Sequence, residues 1–197
     1  MKLLRITNST EIPSTPRKYQ TSKRGIHSPR STNCSADVVV SGLMLNFVPD
    51  LDAAFSEIAR VATDGARFGA YVWDYAGKME LIRRFWDAAV ALDPEAARLD
   101  EATRFPLCRP DALLARIGHA GMRAPEVTAI DIQTCFAGFD DSWTPFLGGQ
   151  GPAPAYAMSL DDAARNRLRD RLRGQLPTRS DGSIPLTARA WAVRATL

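Results

Sequence analysis

An α/β fold with a parallel-type sheet is predicted by three observations. Val38–Phe47 is a largely apolar run bounded by a turn, the pattern of a strand buried on both faces. Apolar residues at helical spacing follow it, and a second apolar strand, Phe68–Trp73, comes next. A strand, a helix and a strand in that order form a unit whose two strands run parallel.

The elements follow in order from their local chemistry. Asp50 or Asp52 caps the first helix by accepting a backbone N–H. That helix buries Leu51, Ala54, Phe55, Ile58 and Val61, and Gly65 is expected to close it. Lys78–Leu92 is a second helix, with Met79, Ile82, Phe85, Trp86, Ala89 and Leu92 on one broad face and Pro94 as its stop. Pro110 suits the first turn of a third helix, which runs through Leu113, Leu114 and Ile117 to Gly118. Val127–Ile132 reads as a strand, and 136–156, rich in Gly and Pro, as a loop. Ser159 is expected to cap a last helix, with Asp161 and Asp162 in its first turn and Leu160, Ala164, Leu168, Leu172 and Leu176 as its apolar stripe. After the turn Ser180-Asp181-Gly182, Leu186–Ala195 is a final strand.

The chain has 197 residues, one domain's worth, and its 45% hydrophobic content supports a buried core. The net charge of +3 is unevenly spread. Residues 1–36 hold seven Lys/Arg against Glu11 alone, whereas residues 37–197 are net acidic. That first stretch also carries 11 Ser/Thr and three Pro with almost no apolar periodicity, so 1–36 is expected to be a disordered basic tail and 37–197 the folded part. A genuine tail, a leader peptide and a start joined to the C-terminal portion of a domain all fit its composition. Cys34, Cys108 and Cys135 have no paired spacing, which points to free thiols in a reducing, cytoplasmic setting. With only His27 and His119 available, a Cys/His metal site is not expected. No apolar stretch approaches the ~18 residues that cross a membrane.

Several segments in order resemble class I S-adenosylmethionine-dependent methyltransferases of the ubiquinone-biosynthesis-like branch. They are Asp37–Pro49, Glu57-Ile58-Ala59-Arg60-Val61 with Asp64-Gly65, Tyr71-Val72-Trp73-Asp74-Tyr75, Phe85-Trp86-Asp87-Ala88-Ala89, the run from Gly148 to Pro154, and Ala188-Arg189-Ala190-Trp191-Ala192. The family's Pro-Gly-Gly is replaced here by Thr63-Asp64-Gly65. The resemblance spans 37–196 and implies a partial Rossmann-like sheet. It holds the family's strands 4-5-7-6, the last antiparallel, with helical insertions. It further implies transfer of a methyl group from S-adenosylmethionine to a small-molecule acceptor. Ser41, Gly42 and Leu43 are the positions matching cofactor contact. The family's glycine-rich loop after a first strand has no counterpart before Asp37, where no strand is expected.

Each candidate site residue also has a plain structural reading. Ser41-Gly42-Leu43 also reads as a tight exit from a buried strand. Trp73, Asp74 and Tyr75 end a strand where open α/β sheets bind ligands, and Asp74 could orient or deprotonate a nucleophile; the favoured reading is a helix cap or solvated turn residue. Phe85 and Trp86 are candidates for an acceptor pocket or for core. Residues 148–154 lack the Lys-Ser/Thr of a phosphate loop and read as a lid or a rigid surface loop. Arg165, Arg167, Arg169, Arg171 and Arg173 lie two apart and do not share a helix face, which argues against a nucleic-acid surface. Lastly, Val38-Val39-Val40 is expected at an open sheet edge, where it would drive self-association that Val39→Lys relieves.

Overall fold

The computed structural model describes residues 3–7 and 35–197. Its strands are β1 (Leu3–Thr7), β2 (Ala36–Gly42), β3 (Ala62–Trp73), β4 (Arg123–Phe136) and β5 (Ile184–Thr196). They form one sheet in the order β1-β2-β3-β5-β4. β1, β2 and β3 run parallel, and β5 is antiparallel to both its neighbours. The four strands after residue 35 thus have the 4-5-7-6 order and the antiparallel last strand that the resemblance implies.

β1 corrects two expectations. Leu3–Thr7 forms a strand inside the stretch expected to be disordered, and it pairs with β2 from Leu3↔Val38 to Thr7↔Gly42. The β2 edge is therefore closed. Val39 is fully buried in the core, so Val39→Lys would break the fold instead of blunting an edge. Residues 8–34, the rest of the presumed tail, lie outside the described residues.

Between β2 and β3 runs α1 (Leu51–Val61), whose first turn is capped by Asp50 accepting from the Ala53 N–H at 2.9 Å. Its Phe55 and Ile58 pack with Val39, Phe68 and Val72 of the sheet. Gly65 does not close this helix. β3 begins directly at Ala62, and Gly65, at φ 75°, lies within that strand, its N–H bonded to the Leu197 carbonyl. After β3 come α2 (Glu80–Leu92), the single turn α3 (Glu101–Arg104) and α4 (Pro110–His119). Leu113 and Ile117 of α4 join the same core as α1.

Beyond β4 the expected loop is mostly helical. It holds α5 (Phe139–Trp143), a 3-10 turn over Thr144–Gly148, and α6 (Pro152–Ser159). Prolines near the starts of these helices supply a fixed φ where no N–H is needed, so a composition that looks loop-like still starts helices. Next is α7 (Asp162–Gln175), capped by Asp161 and not by Ser159; Asp161 accepts from the Ala164 N–H at 2.7 Å, while the Ser159 hydroxyl donates to the Tyr156 carbonyl. These helices and α2 enclose a second core, Phe85, Trp86, Trp143, Phe146, Leu168 and Leu172, which packs on Ile184 and Leu186 of β5. The molecule is a sheet with one core under α1 and α4 and a helical cap beside its carboxyl edge.

Candidate functional site

Parallel strands present the ends of β1, β2 and β3 on one edge, where ligands bind in open α/β sheets. β2 ends in Ser41, Gly42 and Leu43. The Ser41 side chain is fully buried, and its hydroxyl has no hydrogen-bond partner among the described residues. Such an orphan costs about 1–3 kcal/mol unless something bonds it. Leu43 sits at φ 57°, a left-handed conformation strained for a leucine. Its N–H donates to the Tyr71 carbonyl at 2.9 Å, which holds the strained turn against β3. Asn46 adds a second buried oxygen without a partner among the described residues.

Gly42 has a specific steric role. A Cβ there would stand 2.6 Å from the Tyr71 hydroxyl oxygen and 2.9 Å from the ring carbon bearing it. The glycine admits the protein's own phenol, which stands at the place the sequence reading reserved for cofactor approach. Tyr71 entered the sequence reading only as the first residue of the segment Tyr71–Tyr75, with no site role; alternation along β3, which puts it on the exposed side, is a signal that could have given it one.

The end of β3 is organised by Asp74. This residue is buried, and its carboxylate accepts from the Lys78 N–H at 2.9 Å while its carbonyl accepts from Met79. Its own N–H donates to the Arg189 carbonyl. Asp74 is therefore the cap of the turn into α2, the plainer of its two readings. Tyr75, next along, faces Phe105 at 5.7 Å between ring centroids, and Phe105 meets Phe47 edge-on at 5.0 Å. Phe47 is 48% exposed and makes the outer end of this aromatic row. Burial, then Glu101 and Cys108, pushes the Tyr75 phenol up to about 12, so it stays a neutral donor. Burial likewise raises the Cys108 thiol, with Asp74 and Asp100 adding to it and Arg109 opposing.

Phe85 and Trp86 are corrected as pocket residues. Neither has any solvent exposure. Phe85 stacks on Phe146 at 4.4 Å, and the Trp86 indole N–H donates to the buried Glu101 carboxylate. Glu101 went unnoticed in the sequence because nothing local distinguishes it from a solvated helix acid. Burial raises its pKa, and the hydrogen bonds from Trp86 and the Ala153 N–H offset only part of that shift. Asp100 beside it is held by Arg83 at 2.6 Å.

Around the rest of the molecule, the arginines of α7 are largely engaged internally. Arg165 donates to the Ala157 and Leu160 carbonyls, and Arg169 and Arg173 reach Asp140. No helix among the described residues is long and apolar enough to cross a membrane. The structure thus sets Tyr71 against Gly42 beside Ser41 and Leu43 in the chain, lines up Tyr75, Phe105 and Phe47 in a separate row, and leaves Phe85 and Trp86 inside the cap.

No family model and no curated protein sequence matches the chain. Among solved structures, a presumed methyltransferase of Bacillus halodurans superposes with TM-score 0.46 at 10% identity, over 84% of this chain and 65% of that one. A cyclopropane-fatty-acyl-phospholipid synthase-like protein of Lactobacillus casei gives 0.43 at 17% identity, over 82% and 56%. Phosphoethanolamine N-methyltransferase 2 of Haemonchus contortus, in complex with phosphomonomethylethanolamine and S-adenosylhomocysteine, gives 0.36 at 14% identity, over 84% and 34%. The chain spans about 65% of the length of the first of these structures and about a third of the last.

Proposed function

We propose that this chain carries the methyl-transfer chemistry of an S-adenosylmethionine-dependent methyltransferase acting on a small-molecule acceptor. The observation that supports it is β1, a parallel strand seated beside β2 where the resembled fold has its first strand. This seats the orphan Ser41 hydroxyl and the strained Leu43 turn at the carboxyl edge between two parallel strands, the location where such sheets take a nucleotide-like ligand. In this reading Ser41 and the Gly42–Leu43 backbone contact the donor, and the Phe47–Phe105–Tyr75 row receives the acceptor. Methyl transfer is an in-line displacement, so the protein's contribution is chiefly to hold donor and acceptor in line. Accordingly none of the roles assigned here is that of a base.

Donor affinity in this reading is weak. The sequence between Thr7 and Ala36 has Gly25 as its single glycine, so no glycine-rich loop cradles the donor. A second reading, a methyltransferase-like domain that acts through a partner without turning over, is favoured by the Tyr71 phenol that fills the space beside Gly42. Isothermal titration of the full chain with S-adenosylmethionine, and with S-adenosylhomocysteine as the competing product, separates the two. Saturable binding weaker than micromolar, lost in Gly42→Val, supports catalysis at this edge. No saturable binding at millimolar donor overturns it in favour of the second reading.

A further inference from the structure

The helical cap carries a separate pocket of about 240 Å3, set between α2, α6 and α7 and away from Ser41–Leu43, with Leu92 and Arg167 exposed at its mouth. Its walls are Leu92, Leu160 and Leu168, and the space exists because Ala89 and Ala164 stand where larger residues would fill it. Pockets for drug-sized ligands begin near about 300 Å3, so the occupant is smaller than those. Three polar side chains also line the cavity: Asp93, Tyr156 and Arg167.

Asp93 sits at the end of α2. One of its oxygens accepts from the Glu95 N–H at 3.1 Å and the other from the Tyr156 hydroxyl at 3.3 Å. The second bond is long for a hydroxyl donor, and a carboxylate oxygen has capacity for a further donor. Burial and the facing Asp93 raise the Tyr156 phenol, which stays protonated. Arg167 forms no ion pair among the described residues. By contrast Arg165, Arg169 and Arg173 on the same helix each reach an aspartate, at 3.0, 3.0 and 3.7 Å. A hydrogen-bonded carboxylate and an exposed guanidinium thus line one small, largely apolar pocket with no ion pair between them.

We propose that this cavity binds a small zwitterion with an apolar body, the chemical class of an apolar α-amino acid. The ammonium group donates to Asp93, the carboxylate is held by Arg167, and the side chain fills the space between Leu92, Leu160 and Leu168. A zwitterion satisfies both unpaired charges at once, whereas a simple acid meets Asp93 with like charge and a simple amine meets Arg167 with like charge. The site is independent of the methyl-transfer reading and stands or falls on binding alone.

The test is a titration of isotope-labelled full chain with L-leucine, 4-methylpentanoate and 3-methylbutylamine, followed by amide shifts in α2, α6 and α7. Saturable shifts with L-leucine, at least tenfold weaker with each single-charge analogue, support the proposal. Arg167→Gln then loses the preference for leucine over the amine, and Asp93→Asn the preference over the acid. Ala164→Leu, a helix-compatible change that fills the cavity, abolishes the shifts while the circular dichroism is retained. No saturable shift with leucine, equal binding of an analogue, or binding that survives Ala164→Leu overturns the proposal.

Discussion

Phe85→Ala separates the pocket reading of this residue from the core reading. Phe85 is fully buried, stacked on Phe146 at 4.4 Å and packed edge-on to Trp86 at 5.3 Å. Truncating a buried phenylalanine costs about 3–5 kcal/mol, and two good ring contacts place this site at the upper end, near 5 kcal/mol. For a domain of this size each kcal/mol lowers Tm by about 2–4 °C, so the expected drop is about 10–20 °C. Thermal unfolding of the full chain, followed by far-ultraviolet circular dichroism, reads it directly. Because total stability is only about 5–15 kcal/mol, Phe85→Leu serves as the milder companion, with an expected cost of about 1–2 kcal/mol. Should Phe85→Ala keep Tm within about 3 °C of the parent, the ring would not be part of the packed cap and the core argument would fail.

Three further outcomes follow from other sites. Gly42→Ala should cost about 1–3 kcal/mol by overpacking against Tyr71, and much less in a Tyr71→Ala background; additive costs in urea unfolding would show that the two residues do not touch. Because burial raises the Glu101 pKa, the folded state binds that proton more tightly than the unfolded chain. The Glu101 contribution to stability therefore falls as pH rises from the ordinary glutamate value through the raised one, and Glu101→Gln should flatten that part of the stability–pH curve; an unchanged curve would refute the assignment. With the β2 edge closed, self-association is expected at β4, an outer strand of the sheet. There Ile130 and Ile132 are 45% and 50% exposed, so Ile132→Lys should lower the sedimentation coefficient at high micromolar concentration, and a parent that sediments as a monomer contradicts this.

Local chemistry alone located most of the elements. The apolar run at Val38–Val40, the periodic face of Leu51–Val61 and the proline at position 110 each act within a few residues, and the structure has a strand or helix at each. The antiparallel order of the last strands was likewise legible, through the motifs that carry the resemblance. Where local rules competed, the outcome needed the assembled fold. Leu3–Thr7 is too short to hold as a strand alone; among the described residues it gains its ladder from β2, whose paired positions lie 35 residues on in sequence. Residues 136–156 look like loop because they are rich in Gly and Pro, yet burial of Trp143, Phe146 and Ala153 against α2 and α7 makes most of them helical.

The candidate site divides in the same way. Ser41, Gly42 and Leu43 were marked by the resemblance, and their exit from a buried strand was legible in the sequence. That Gly42 accommodates Tyr71 and that Glu101 meets Trp86 and Ala153 are facts about residues far apart in the chain. The sequence by itself determined most of the strands and helices after residue 35 and which strand ends were candidates for a ligand, since backbone preference and apolar period are short-range. Only the tertiary structure decided which aromatic rings are core, which carboxyls are buried and which charges are left facing a cavity. Burial and pairing depend on what other elements bring into contact, and no window of the sequence contains both partners.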